Sequence, residues 1–261
     1  MNLVPDIRAL LAVDVIASAQ LPGDQRSRLW GELSGMLFRA LDESEISPDE
    51  VLHLEPGGDS VLYTLPSARL GTIVDLTNRL DREAAQHNRW SKPTLRLRVS
   101  VHLGSVGQAP HYCSAKVLLI RLLEANQFKQ LVNECIRQST DSVGNSAINT
   151  GLIVSGTAFQ EVFGGDHTNL VRPDQFAELE VSGKEFADKA WVRVPGVDSQ
   201  SLAQIAKNLP GPSNTDNPMD SAEARPSVMN NNTGTMTNSV QTGMVHGGIT
   251  FGRTSQEREA R

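Results

Sequence analysis

The 261 residues carry 24 Lys and Arg against 30 Asp and Glu, for a formal net charge of -6, and 39% of the side chains are hydrophobic. That is enough chain for one sizeable core plus further segments. It is too acidic for a nucleic-acid-binding surface spread over the whole protein.

Two cysteines, Cys113 and Cys135, stand in no metal-ligand spacing and argue against a disulfide scaffold. The opening run MNLVPDIRALLAVDVIASA is broken by Asp6, Arg8 and Asp14 and has no leading basic cluster. This speaks against a signal peptide or a membrane span. No later stretch is apolar enough for a bilayer, so a cytoplasmic protein with no membrane partner is expected.

In chain order, residues 9–16 read as a buried strand whose one charge, Asp14, falls near its end. Leu29, Leu33, Met36, Leu37, Ala40 and Leu41 recur at helical spacing and predict a helix over roughly 25–42. Next comes HLEPGGDSVLYTLP, where Pro56-Gly57-Gly58 make a tight turn between strand-like Val51-Leu52 and Val61-Leu62. Asp59 then sits directly ahead of a strand that stops at Pro66. Two readings stay open at this point: the polar end of a hairpin loop, or a metal ligand presented by the turn.

Leu70, Ile73, Val74, Leu76 and Leu80 predict a second helix, reaching about His87. In TLRLRVSVHLG, Leu95, Leu97, Val99, Val101 and Leu103 alternate with Arg96, Arg98, Ser100 and His102, a strand with one polar face. AKVLLIRLLEANQFKQLV predicts a helix from Ala115, with Arg121 embedded among leucines and isoleucine. GLIVS at 151–155 reads as a strand, TAFQEVF as a short helix, and FAELEV and KAWVRVP as the last two strands.

The order is βαββαβ followed by αβαββ, which places the chain in the α+β class with a ferredoxin-like first half. That arrangement is an antiparallel sheet with helices on one face. In such a sheet the first and third strands are neighbours, so Asp14 and Asp59 converge at one edge. Two convergent carboxylates suit a pair of divalent cations, Mg²⁺ or Mn²⁺, completed by phosphate oxygens. Such ions activate an attacking hydroxyl and stabilise charge on a phosphoryl group. The plainer readings are that Asp14 only ends a strand, that Arg121 knits helices by pairing with an acid, and that Lys184 is an ordinary strand residue. His102 and His111 are given no role.

Several stretches, taken in order, resemble the class III nucleotidyl cyclase domain, and within it an actinobacterial branch of cyclase-homology domains. They are AVDV around Asp14, GGDSVLYTLP around Asp59, His87-Asn88, LRLRVSVHLGSV, IRLLEA around Arg121, LIVSGTAFQEVF, and KEFADKAW from Lys184. The resemblance implies metal-binding roles for Asp14 and Asp59, and a transition-state role for Arg121. It also implies nucleotide contacts near Val15, Ile16 and Lys184. In that family two domains pair head to tail, the aspartates of each site coming from one subunit and its arginine from the other, so a homodimer is expected. Departures are equally clear. Val15-Ile16-Ala17-Ser18-Ala19 replaces the usual Phe-Thr pair, Glu55 takes the slot of a purine-selecting lysine, and Val117 that of a ribose-binding asparagine. Loss of one donor to a transition state typically costs about 2.7–4 kcal/mol of barrier.

The chain divides into a cyclase-homology domain over 1–195, a linker rich in Pro, Ser, Asn and Asp over 196–229, a β-prone segment over 230–253 and a charged end over 254–261. In NNNTGTMTNSVQTGMVHGGITF, Val240, Val245, Ile249 and Phe251 suit dry interfaces between stacked copies, and Gln241 an amide ladder. Gly243, Gly247 and Gly248 allow turns between short strands. The segment resembles bacterial amyloid-signalling motifs related to the RIP homotypic interaction motif, which implies self-assembly and a partner protein bearing a matching motif. Taken together, the expectation is a signalling protein whose partly degenerate, dimerising cyclase-like domain binds a purine nucleotide. Two alternatives stand beside it: an active Mg²⁺- or Mn²⁺-dependent cyclase acting on ATP or GTP, and a non-catalytic dimerising scaffold.

Overall fold

The computed structural model describes residues 5–17, 22–57, 60–107, 113–141, 148–183 and 186–209. Strand β1 (Asp6–Val15) is followed by α1 (Gly23–Glu43), a single 3₁₀ turn (Pro48–Glu50), β2 (His53–Gly57) and β3 (Ser60–Pro66). Then come α2 (Leu70–Trp90), β4 (Leu97–Val106), α3 (Ser114–Glu124), α4 (Asn126–Asp141) and β5 (Thr150–Ser155). The described part closes with α5 (Gly156–Gly164), β6 (Ala177–Gly183), β7 (Phe186–Arg193) and α6 (Ser199–Asn208).

The seven strands form one sheet in the order β2-β3-β1-β4-β5-β7-β6. Its first four strands have the ferredoxin-like arrangement, and β1 pairs with β3 as the sequence implies. The sheet is mixed, because β4 and β5 run parallel. Helices cover both faces, not one. Alternate residues of β1 point to opposite sides. Leu11, Val13 and Val15 pack with α1, α2 and α5, while Leu10 and Ala12 pack with α3, α4 and α6. This double covering explains why β1 is a nearly unbroken apolar run, buried from Ala9 to Val15.

The polar face of β4 is covered as well: Ser100 is fully buried and His102 is 5% exposed. Helix α3 lies over them, and Ser100 Oγ and His102 Nδ1 are bonded internally. Two further differences concern helices. The single helix expected from Ala115 is two, broken where Ala125 takes an extended ψ of 126°. Residues 199–208, expected to begin a linker, form α6, whose Leu202 and Ile205 are buried. Asp198 caps it, its carboxylate accepting from the Ser201 N–H at 2.9 Å.

One approach on the α2 side is very close. A Cβ on Gly71 would stand 1.9 Å from the His167 carbonyl oxygen, so only glycine fits. Four residues further along α2, the buried Asp75 carboxylate accepts from the N–H groups of Asn169, Leu170 and Val171 at 2.6, 3.0 and 2.9 Å. Together they fix the segment after α5 onto the helix.

Candidate functional site

The β1 register places Asp14 opposite Ser60 of β3 and opposite Arg98 of β4. Ser60 directly follows Asp59 in the chain, and Asp59 itself lies outside the described residues. Asp14 is only 3% exposed. A carboxylate that deep needs a counter-charge or hydrogen bonds, and Arg98 supplies them, its Nη2 donating to Asp14 Oδ2. The arginine side chain is itself 13% exposed. Its Nε is buried with no hydrogen-bond partner among the described residues.

This pairing bears directly on metal binding. The described carboxylate of the expected pair faces a guanidinium, a permanent cation. Among the described residues no group of three or more His, Cys, Asp or Glu is placed to hold a metal ion. Of the expected metal-binding pair, the described member, Asp14, is thus held by Arg98.

The remaining expected residues fall as follows. Val15 is buried in the core on the α1 side. Ile16 packs partly against the other core, and its N–H donates to the Arg96 carbonyl at 2.9 Å. Helix α3 buries Ala115, Lys116, Leu119, Leu122 and Leu123. Arg121 is exposed, and on the same helix Val117 and Ile120 are 46% and 38% exposed. Lys184 lies outside the described residues, as do Val240, Gln241, Gly243, Val245, Gly247, Gly248, Ile249 and Phe251.

Sequence reasoning missed two partners. Lys116, buried on α3, donates through Nζ to Glu55 Oε1 of β2. Glu55 therefore serves as counter-ion to a lysine from another element. His53 Nε2 stands 3.6 Å from the same carboxylate oxygen. The second missed partner is Arg98. Both readings needed strand register or a helix–strand contact, which periodicity does not supply.

Further along the same face, Ser100 Oγ donates to the Leu119 carbonyl at 3.0 Å. His102 Nδ1 lies 2.8 Å from Ser155 Oγ, which also accepts from the Ala158 N–H at 3.2 Å and so caps α5. Burial pushes the His102 pKa below its usual value, which favours the neutral ring. The side chain is thereby bonded into the fold.

Among solved structures, a bacterial light-regulated adenylyl cyclase is similar to this chain at 13% identity and a TM-score of 0.47, over 80% of this chain and 60% of that one. This chain thus spans less than two thirds of that protein's length. The guanylyl cyclase Cya2 is similar at 12% identity and a TM-score of 0.46, over 75% of this chain and 95% of that one. An adenylate/guanylate cyclase/hydrolase from Silicibacter pomeroyi is similar at 14% identity and a TM-score of 0.49, over 74% of this chain and 98% of that one. No family model and no curated protein matches the chain. These are likenesses of fold. Among the described residues, no helix is long and apolar enough to cross a membrane.

Proposed function

We propose that this chain is a nucleotide-cyclase-like signalling domain that has given up metal-dependent turnover. It keeps the dimer and the purine-nucleotide site as a sensing device. The observation that carries this reading is the buried ion pair between Arg98 and Asp14. A cyclase needs that carboxylate for a metal ion. Here the neighbouring strand supplies a cation that no chelator removes and no nucleotide displaces without breaking a buried pair. Three features support the same conclusion: Glu55 bound to Lys116, apolar Val117 one turn before Arg121, and Val15-Ile16 where metal-positioning residues are expected. The exposure of Arg121 beside Val117 and Ile120 suits a contact with a second subunit. The segment over 230–253 then passes the signal to a partner protein with a matching motif, in the manner of the bacterial motifs it resembles.

The purified full chain, incubated with ATP or GTP and Mn²⁺, is expected to form no cyclic nucleotide above the protein-free control. Product formation that disappears in Asp59→Asn would overturn the degenerate reading in favour of a working cyclase. For the tail, a peptide spanning 230–253 is expected to form thioflavin-positive fibres. A peptide that stays monomeric at high concentration removes the recruiting half of the proposal.

A further inference from the structure

The cleft between α1 and the β2–β3 hairpin takes no part in the reading above. It encloses about 570 Å³, within the few hundred to one thousand Å³ common for small-molecule sites. Its wall is apolar and rich in rings, with Trp30, Leu37, Ile46, Val61 and Tyr63 among the lining residues. Phe38 and Leu54 also line it and remain 67% and 50% exposed. Large side chains left this open around a concave surface mark a binding site more often than an idle one.

The polar groups of the cleft set the chemistry of its occupant. Asp42 is the one charged residue lining it among those described. Neither Arg39 nor Arg79 lines the cleft, and both are paired, Arg39 with Glu83 at 2.6 Å and Arg79 with Glu43 at 3.1 Å. Asp42 itself takes no side-chain hydrogen bond or ion pair among the described residues, and neither does the Tyr63 hydroxyl. Ser34 is already bonded, its Oγ donating to the Trp30 carbonyl at 2.9 Å. The cleft is thus an apolar, aromatic-walled space carrying one uncompensated negative charge.

We propose that this cleft binds a small hydrophobic amine, with its apolar body among Trp30, Phe38 and Tyr63 and its ammonium group on Asp42. Ring faces attract a cation, and a carboxylate accepts a charge-assisted hydrogen bond from it. A carboxylate-headed ligand of the same shape would meet like charge. The burial that raises the Tyr63 pKa keeps its hydroxyl neutral, leaving Asp42 as the charge that selects the head group.

The test uses the full chain and three probes that share one body: 4-phenylbutylamine, 4-phenylbutanol and 4-phenylbutanoate. Binding is followed by calorimetry and by shifts of the Trp30 indole N–H in nuclear magnetic resonance spectra. The amine is expected to bind tightest and the acid weakest. Asp42→Asn, a change at an exposed position, is expected to weaken the amine about fivefold, a typical size for a surface ion pair, and to leave the alcohol unchanged. The inference is overturned if the acid binds as well as the amine, if Asp42→Asn leaves the amine unaffected, or if none of the three binds. It is equally overturned if Leu54→Glu converts a dimer to a monomer in sedimentation while the amine leaves the dimer intact. The cleft would then be a contact between two copies. None of these outcomes depends on whether the domain binds or turns over a nucleotide.

Discussion

Among the described residues, one aspartate is buried on each face of the sheet, and the two are stabilised by opposite means. On the α1 side, Asp75 accepts three backbone N–H groups from residues 169–171. On the α3 side, Asp14 is answered by the guanidinium of Arg98. The first arrangement uses dipoles that are fixed once the loop is in place, and it ties that loop to α2. The second uses a full charge on the adjacent strand, which makes a net neutral pair with Asp14. Both residues follow apolar stretches in the sequence, so local context does not tell a structural carboxylate from a ligand. What separates them is the partner.

The largest expected effect comes from breaking the charged pair. Arg98→Met leaves Asp14 buried without its cation and is expected to cost about 3 kcal/mol in urea unfolding at neutral pH. Adding Asp14→Asn should recover part of that loss, because removing the carboxylate's charge removes the need for the lost cation. If Arg98→Met instead proves neutral, the two side chains are not coupled and the case against metal binding weakens with them. Arg98→Met also sharpens the functional question. With the guanidinium gone, Mn²⁺ is expected to stabilise the variant in thermal unfolding while leaving the parent protein unchanged.

On the other face, Asp75→Asn keeps one oxygen acceptor but turns an amide NH₂ toward backbone donors. It is expected to cost about 2 kcal/mol, within the usual range for unsatisfied buried groups. Hydrogen exchange should rise at the amides of Asn169, Leu170 and Val171, and little elsewhere. A uniform rise across the sheet would mean that the loop is not held by this carboxylate alone.

Most of the architecture was legible from the residues. The apolar run around Leu10 and Leu11, the helical spacing from Leu29 to Leu41 and the βαββαβ order all reappear, and the first and third strands are neighbours. Other features were not, and three of them show why. The break at Ala125 carries no glycine or proline, because an extended ψ at alanine needs no special residue. Helix α6 was hidden by its flanks: Leu202 and Ile205 give only two buried positions in a short helix amid polar text, and their burial depends on the α4 and β6 surfaces beneath. The pairing of Arg98 with Asp14 was invisible because alternation along β4 shows which residues share a face, not which helix covers it. That pairing now carries most of the degenerate reading that the residues had already suggested.

The covered polar face of β4 gives the smallest of these effects, and it has a definite sign. Burial lowers the pKa of His102 below the usual 6.5, against the opposing charge of Asp188. The unfolded chain therefore takes up a proton near pH 6.5 that the folded chain resists. As pH falls through that value, proton uptake favours the unfolded state and stability declines, by at most about 1.4 kcal/mol per pH unit from one such group. Above that range the ring is neutral in both states and contributes no slope. Unfolding measured at pH 7.5, 6.5 and 5.5 is expected to show the decline, and His102→Gln, which retains a partner for Ser155, should flatten it. A variant with the parent's full pH dependence would assign the titration to another group. It would leave His102 as a hydrogen-bonded ring whose charge state is indifferent to the fold.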